Sequence, residues 1–365
     1  MAPEDLKSRL EYERASASQI TSHFQNNSQM WAAPLSTRDY LDVQRHLSVT
    51  EASTRRTAYW VLYDQANPET VIASCTTYMR DALINAGQGM RPVGAAIITD
   101  LFTLPEYRRQ GMASMLLEKL RQTLDQSQPK IEFSLLYSDV RPEFFETLGW
   151  IPQPAPQVRI VLGRGGVDMP PETDDLMYIH HSDLIQLTKK DINMTKLRLS
   201  AMRDGKRHAL VLPTHKLMRW HLARSMLLKK HMSKGKDGGK AGVSGAFTKS
   251  SDKGLEAWAW WTPDFRCRRL NVGRLVSTRL SGMEHHIKSV LGVALGEASR
   301  LGLREVVVWE PLEQTVNAAN LLAQEMGAGV GAILEDRLDL VPCLRWHNGE
   351  KIAGGLVDGQ FCGWS

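Results

Sequence analysis

Cysteine is scarce in this 365-residue chain: Cys75, Cys267, Cys343 and Cys362 stand too far apart to form CxxC pairs, and none has a histidine at zinc-finger spacing. A disulfide scaffold and a zinc ribbon are excluded, leaving reduced thiols. Among the eleven histidines there is no HExxH, and the adjacent pairs His180/His181 and His285/His286 direct their rings apart on any regular element. No metal site is expected. Long apolar runs are also missing: stretches such as "VGAAII", ahead of Thr99 and Asp100, fall far short of the ~20 residues a spanning helix needs. The opening "MAPEDLKSRLEYERAS" lacks the basic-then-apolar order of a secretory signal. These absences predict a soluble, cytoplasmic protein without a membrane partner. No short-period repeat occurs, which excludes a solenoid.

What is present is a large apolar fraction, 42%, enough for about two domains at roughly 100 to 200 residues each. The net charge of +5 is unevenly spread: residues 189 to 253 hold 17 Lys or Arg against 4 Asp or Glu, and the remainder is net acidic. Within that segment "KKHMSKGKDGGKAGVSGAFTKSSDKG" is rich in Gly, Lys and Ser and reads as a mobile, solvated basic loop at 229–254. No nucleic-acid partner is expected from it.

The first half has an α/β order. "STRDYLDVQRHLSV" carries helical spacing with Ser36 or Thr37 as cap, "TAYWVLYD" and "TVIASCTTYMRDAL" form a hairpin about Asn67–Pro68, and "VGAAIITDLFT" reads as a buried strand. After the loop "LPEYRRQGMAS", Leu116, Leu117, Leu120 and Leu124 recur on one helical face, followed by the strand "KIEFSLLYS" and the short helix "RPEFFETLGW". Pro and Gly density in "IPQPAPQ", "GRGG" and "MPPETDD" marks a boundary. This predicts a first domain at 1–155, a linker at 156–175 and a C-terminal α/β domain at 176–365. The second half repeats the strand, helix, strand order without a basic Gly-rich loop. The G-x-G-x-x-A match "GAGVGA" at 327–332 is discarded, because a dinucleotide fingerprint needs a strand before it and a helix after it, and the patterns here are reversed.

The loop at 104–114 carries the chemistry. Arg108-x-x-Gly111-x-Ala113 between a strand and a helix removes the Cβ atoms that would block close backbone approach, and a helix N-terminus offers unpaired N–H groups and partial positive charge to a pyrophosphate. Arg108 and Arg109 add charge. This loop, with "EFFETLGW" downstream, resembles the [R/Q]-x-x-G-x-[G/A] run and the LGF-type ending of the GNAT acetyltransferase superfamily over about residues 56 to 150. More narrowly, "TAYWVLYDQANPETVIASCTTYMRDAL", "SLLYSDVRPEFFETLGW" and "RWHLARSM" resemble stretches of the fungal L-lysine acetyltransferase family, in which a GNAT domain precedes a characteristic C-terminal domain.

The resemblance implies a GNAT fold followed by a second, degenerate GNAT-like α/β domain. It implies acetyl transfer from acetyl-CoA to the side-chain amine of L-lysine or a similar small amine, and no metal. Leu101, Phe102 and Thr103 would supply backbone to the pantetheine, and Arg108, Arg109, Gln110, Gly111, Met112, Ala113 and Ser114 would hold the pyrophosphate. Asp100 and Ser138 are the candidate catalytic groups at the two strand ends, and Arg80 or Arg224 could grip a substrate carboxylate. The chain departs from the family at Thr76, where an acidic residue is usual, and at Phe145, where the superfamily commonly has Tyr. Phe145 implies that release of the thiolate does not use a tyrosine. Two alternatives stand beside the lysine reading: acetylation of an amine on a secondary metabolite or protein, and a non-catalytic CoA-binding module. The sequence does not specify an oligomeric state.

Overall fold

The computed structural model describes residues 4–87, 89–140, 142–180, 182–233, 242–250, 252, 254–347 and 354–364. Its first half runs α1 (Glu4–Ser8), β1 (Leu10–Arg14), α2 (Ala17–Trp31), α3 (Thr37–Ser48), β2 (Thr57–Asp64), β3 (Asn67–Asn85), β4 (Met90–Thr103), α4 (Met112–Asp125), β5 (Ile131–Ser138), α5 (Glu143–Glu146), β6 (Ile151–Pro152) and β7 (Pro156–Leu162). There follow β8 (Leu176–Tyr178), α6 (Asp183–Ala201), β9 (Arg207–Val211), α7 (His215–Ser233), β10 (Gly245–Lys249), β11 (Leu255–Asp264) and β12 (Arg269–Ser277). The chain closes with α8 (Glu284–Arg300), β13 (Glu305–Trp309), α9 (Glu313–Met326), β14 (Val330–Asp336), β15 (Val341–Trp346) and β16 (Gly354–Leu356).

Two mixed sheets result, as the α/β order of both halves predicts. The first has the order β1-β2-β3-β4-β5-β15-β6, with β9 attached to β3 and β16 to β9; the second has the order β14-β7-β13-β12-β11-β10-β8. Alternation along β4 places Ala96 and Ile98 against Leu116, Leu117 and Leu120 of α4, and Ala95 and Ile97 against Phe133, Leu135, Val211 and Leu217 on the other face. The predicted Ser36 cap is present, its Oγ accepting from the Asp39 N–H at 3.1 Å. At 327–332 the helix α9 ends at Met326 and a strand begins at Val330, so the discarded fingerprint does lie between a helix and a strand. Among the described residues no helix is long and apolar enough to cross a membrane.

Two expected boundaries change. The stretch 156–175 begins with β7, which lies inside the second sheet between β14 and β13. Its Val158 and Ile160 enter the second core, while Arg159 meets Glu305 at 2.6 Å and Glu335 at 2.8 Å. The proline signal is real, but Pro152 and Pro156 stand at the starts and ends of strands rather than in a linker. The segment 229–254 is likewise more than a mobile loop. α7 continues to Ser233, and 245–249 forms β10, with Ala246 buried against the second core; residues 234–241, 251 and 253 lie outside the described residues. Lysines and glycines at its ends concealed the alternation of Ala246 and Thr248.

The halves exchange strands. β7, from the first half of the sequence, completes the second sheet, and β15, from the second half, fills the gap between β5 and β6 in the first. On β15, Cys343 and Leu344 bury on opposite faces of that sheet. A chain truncated after Leu162 would leave the β5 edge unpaired and strip cover from Phe133, Leu135 and Leu136, each worth ~1.5–3 kcal/mol when fully buried, against a typical stability of about 5–15 kcal/mol. Such a fragment is expected to be insoluble or to lack a cooperative melt. Circular dichroism and size-exclusion chromatography test this, and a monomeric, cooperatively melting fragment would show the halves to be independent.

Candidate functional site

β4 and β5 run parallel from Gly94↔Ile131 to Ile98↔Leu136; β4 continues to Thr103 and β5 to Ser138 without further pairing to each other. The cause lies in β4, where the register to β3 jumps from Thr76↔Thr99 to Ser74↔Phe102. Asp100 occupies the resulting bulge with φ 55°, a left-handed conformation that short polar residues such as Asp adopt more readily than most. The bulge turns the strand away from β5 and opens a cleft. Residues 101–103 lie along this unpaired stretch, with Phe102 buried and Leu101 and Thr103 half-buried.

At the cleft's end the loop at 108–114 delivers the chain into α4. Gly111 is the N-cap residue with φ 89°, and a Cβ there would meet nothing within 4 Å, so the glycine borders open space at a helix start that has no side-chain cap. Such a cradle fits a pyrophosphate. Met112 anchors the helix in the core, leaving its backbone as the contribution to the cradle, while Ala113 and Ser114 are half-buried. The side chains of Arg108 and Gln110 serve the loop itself. Arg108 Nε donates to the Thr103 carbonyl at 3.0 Å with its guanidinium 5.4 Å from the Phe102 ring, and Gln110 Nε2 donates to the Glu106 carbonyl at 2.7 Å. Arg109, exposed at φ 58°, keeps its charge at the rim.

Asp100 is the centre of a second group of residues. Its half-buried carboxyl accepts hydrogen bonds from Thr76 and Thr99 and faces the Arg224 guanidinium; burial nevertheless pushes its pKa above the ordinary carboxylate value. Tyr40 on α3, Tyr59 on β2 and Tyr78 on β3 stand close enough to feel its charge, and burial, with that charge second, keeps all three phenols protonated. Behind Thr76 lies His23 of α2, fully buried, with Nδ1 2.8 Å from Ser74 Oγ and Nε2 3.0 Å from Thr76 Oγ1. Burial lowers its pKa to about 3, so the ring is neutral and braces the two hydroxyls on β3.

Of the two candidate arginines, Arg80 is 5% exposed, donates from one terminal nitrogen to the Ala52 carbonyl at 2.8 Å, and stands over the Tyr78 ring at 4.7 Å. Its Nε and other terminal nitrogen have no partner among the described residues, nor has Trp220 Nε1. Arg224, on α7, lies 5.0 Å from the Trp364 ring. Both arginines act on His221, whose pKa is lowered to about 3 by burial first and by their charge in smaller part, and whose Nε2–H donates to the Cys362 carbonyl at 3.2 Å. Unpartnered donors of this kind, here against the Tyr78 ring, can receive an anionic group, and a carboxylate such as Asp100 can receive an amine. Ser138 is not part of this group. Its Oγ donates to the Val140 carbonyl at 2.5 Å and accepts from the Val140 N–H at 3.2 Å, closing a turn. Phe145 packs in the core beneath α4.

Sequence reasoning missed Tyr40, Tyr59, Tyr78, His23 and Trp364. Nothing in local pattern distinguishes them from core residues on amphipathic elements. Only the joining of α2, α3, β2 and β3 around Asp100, and of the segment after β16 with Arg224 on α7, brings them together.

A bulged, splayed strand pair ending in an anion cradle defines an acyltransferase of the GNAT fold. Comparison with known families agrees: residues 65–162 match the acetyltransferase (GNAT) domain, and residues 167–358, more than half of the chain, match the LYC1 GNAT-like C-terminal domain. The chain belongs to the GNAT acetyltransferases that carry this LYC1-like C-terminal domain. Solved structures show the same fold at low identity. A GCN5-related N-acetyltransferase from Anabaena variabilis has a TM-score of 0.53 and 14% identity, covering 93% of this chain and 73% of that one. Saccharomyces cerevisiae N-myristoyltransferase with bound myristoyl-CoA has a TM-score of 0.53 and 8% identity, covering 96% and 86%. A tandem GNAT protein from the clavulanic acid biosynthesis pathway has a TM-score of 0.50 and 12% identity, covering 94% and 100%. None of the curated proteins matches the sequence.

Proposed function

We propose that the protein transfers acetyl from acetyl-CoA to the side-chain amine of L-lysine or a similar small amine carrying a carboxylate. The observation that carries this reading is the placement of Asp100 at the mouth of the β4–β5 cleft among three protonated tyrosines, with Arg224 close enough to act on its charge and with Arg80, over the ring of Tyr78, holding two nitrogens without a partner among the described residues. The cradle at Gly111 fits the cosubstrate's pyrophosphate, and the free edge of 101–103 fits its pantetheine.

An alkylamine with a pKa near ~10.4 arrives as an ammonium ion. Asp100 attracts it and takes one proton; the freed nitrogen lone pair attacks the thioester carbonyl carbon, the C–S bond breaks, and the departing thiolate takes the second proton from the new amide nitrogen and leaves as the thiol. Arg224 and Arg80 hold the carboxylate at the far end of the acceptor, which orients a flexible chain whose reacting atom must lie within ~3–3.5 Å of the carbonyl.

The test is a panel of L-lysine, other free amino acids, polyamines and lysyl peptides, assayed for thiol release from acetyl-CoA. L-lysine is expected to give the highest kcat/KM, and cadaverine, which lacks the carboxylate, a KM raised about ten- to a hundredfold, matching ~1.5–3 kcal/mol for hydrogen bonds to a charged group. Arg224→Ala should raise the KM for L-lysine and leave cadaverine unchanged. Equal efficiency on carboxylate-blocked peptides would count against a free amino acid as acceptor.

A further inference from the structure

The second sheet repeats the splay of the first. β12 and β13 pair in parallel from Arg269↔Glu305 to Val272↔Val308, and β12 bulges at Gly273, where its register to β11 shifts. Leu275 lies three residues beyond the last parallel pair, as Leu101 does beyond Ile98. The following turn also echoes the first half's loop, which the sequence reading did not find in the second half: Arg279-x-x-Gly282, with Gly282 at φ 72°, leads into α8. Where the first half has Ala113, however, the second has Glu284, an anion at the helix start that a phosphate would otherwise approach.

This second cleft is filled by the chain itself. The Gln360 side-chain amide bonds both backbone groups of Leu275: Oε1 accepts from its N–H at 2.7 Å and Nε2 donates to its carbonyl at 3.1 Å. Asp358 accepts from Arg274 at 2.6 Å, and Arg274, 2% exposed, is held by Asp191 at 2.8 Å. From this clip the chain runs on to Trp309 of β13 and to Arg224 of α7. Phe361 packs edge-on to Trp309 at 4.9 Å and stacks on Trp364 at 5.3 Å, and Trp364 supports Arg224.

We propose that residues 358–364 are an internal ligand of the second cleft, Gln360 standing where a pantetheine amide would pair, so that the chain binds one CoA. In this role Gln360 is a positioning residue: it fixes Trp364 beneath Arg224 and so shapes the acceptor side of the first cleft. That second part rests on the acceptor reading proposed above; the stoichiometry does not.

Calorimetric titration with acetyl-CoA is expected to give one site per chain in the native protein and in Glu284→Ala, because the tail fills the cleft whether or not the acidic residue is present. A second bound acetyl-CoA in either protein would overturn the internal-ligand assignment. In Gln360→Ala the acceptor KM should rise about tenfold while the KM for acetyl-CoA stays within about twofold, and Gln360→Glu, which keeps the bond from the Leu275 N–H, should fall between. A folded Gln360→Ala with unchanged acceptor KM would overturn the positioning role. If no amine in the panel is acetylated, the acceptor reading fails, and the titration still decides the occupancy of the second cleft.

Discussion

Gly111→Glu is expected to weaken CoA binding more than a hundredfold while the fold persists. The position is left-handed at φ 89°, so an L side chain costs ~1–2 kcal/mol of strain, within a typical stability of about 5–15 kcal/mol. Nothing within 4 Å would clash with the new Cβ, which confines the damage to the space before the helix. There the carboxylate would stand against the N-terminal N–H groups of α4, satisfying them and repelling the pyrophosphate. Gly111→Asn, which tolerates the same backbone without charge, should lose far less affinity. Titration with CoA, paired with a thermal melt, measures both. Native affinity in a folded Gly111→Glu protein would remove the pyrophosphate from this loop.

Asp100→Asn should lower kcat by ~10²–10⁴ and leave CoA affinity intact, the range a positioned general base contributes. Asparagine keeps the shape and also accepts the left-handed backbone, so the bulge at φ 55° and the splay of the strands should survive. The pH dependence gives an independent reading. Burial raises the Asp100 pKa, and hydrogen bonds from Thr76 and Thr99 and the charge of Arg224 only partly oppose it. The base is active when ionised, so the native rate should fall as pH drops through that raised pKa, giving an acid limb above the ordinary carboxylate range. In Asp100→Asn that limb should vanish. An unchanged kcat and acid limb would show that Asp100 does not take the proton.

Much of the first half could be read directly. Period-two burial on β4 and the leucine face of α4 are local properties, and the cradle at Gly111 is spelled by small residues at fixed spacing. What escaped was non-local. Pro156 and its neighbours look like a linker until Val158 and Ile160 find a core built from α8 and β13, more than a hundred residues later. The group proposed to bind the acceptor was half visible: Asp100, Arg80 and Arg224 carry charges that stand out in the sequence, whereas Tyr40, Tyr59 and Tyr78 look like ordinary core residues. Ser138 shows the opposite case, a hydroxyl in a promising place whose hydrogen bonds are consumed by the turn at Val140. The second cleft hid for a different reason, since its occupant is a single glutamine side chain and carries no motif.

The exchange of β7 and β15 also sets an order of events during synthesis. When β5 leaves the ribosome its outer edge has no partner, and the strand that pairs it lies about 200 residues downstream, roughly 10–40 s away at ~5–20 residues per second. Through that interval the first half presents an unpaired strand edge to whatever is nearby. Successful production of this protein therefore depends on what shelters a nascent β5.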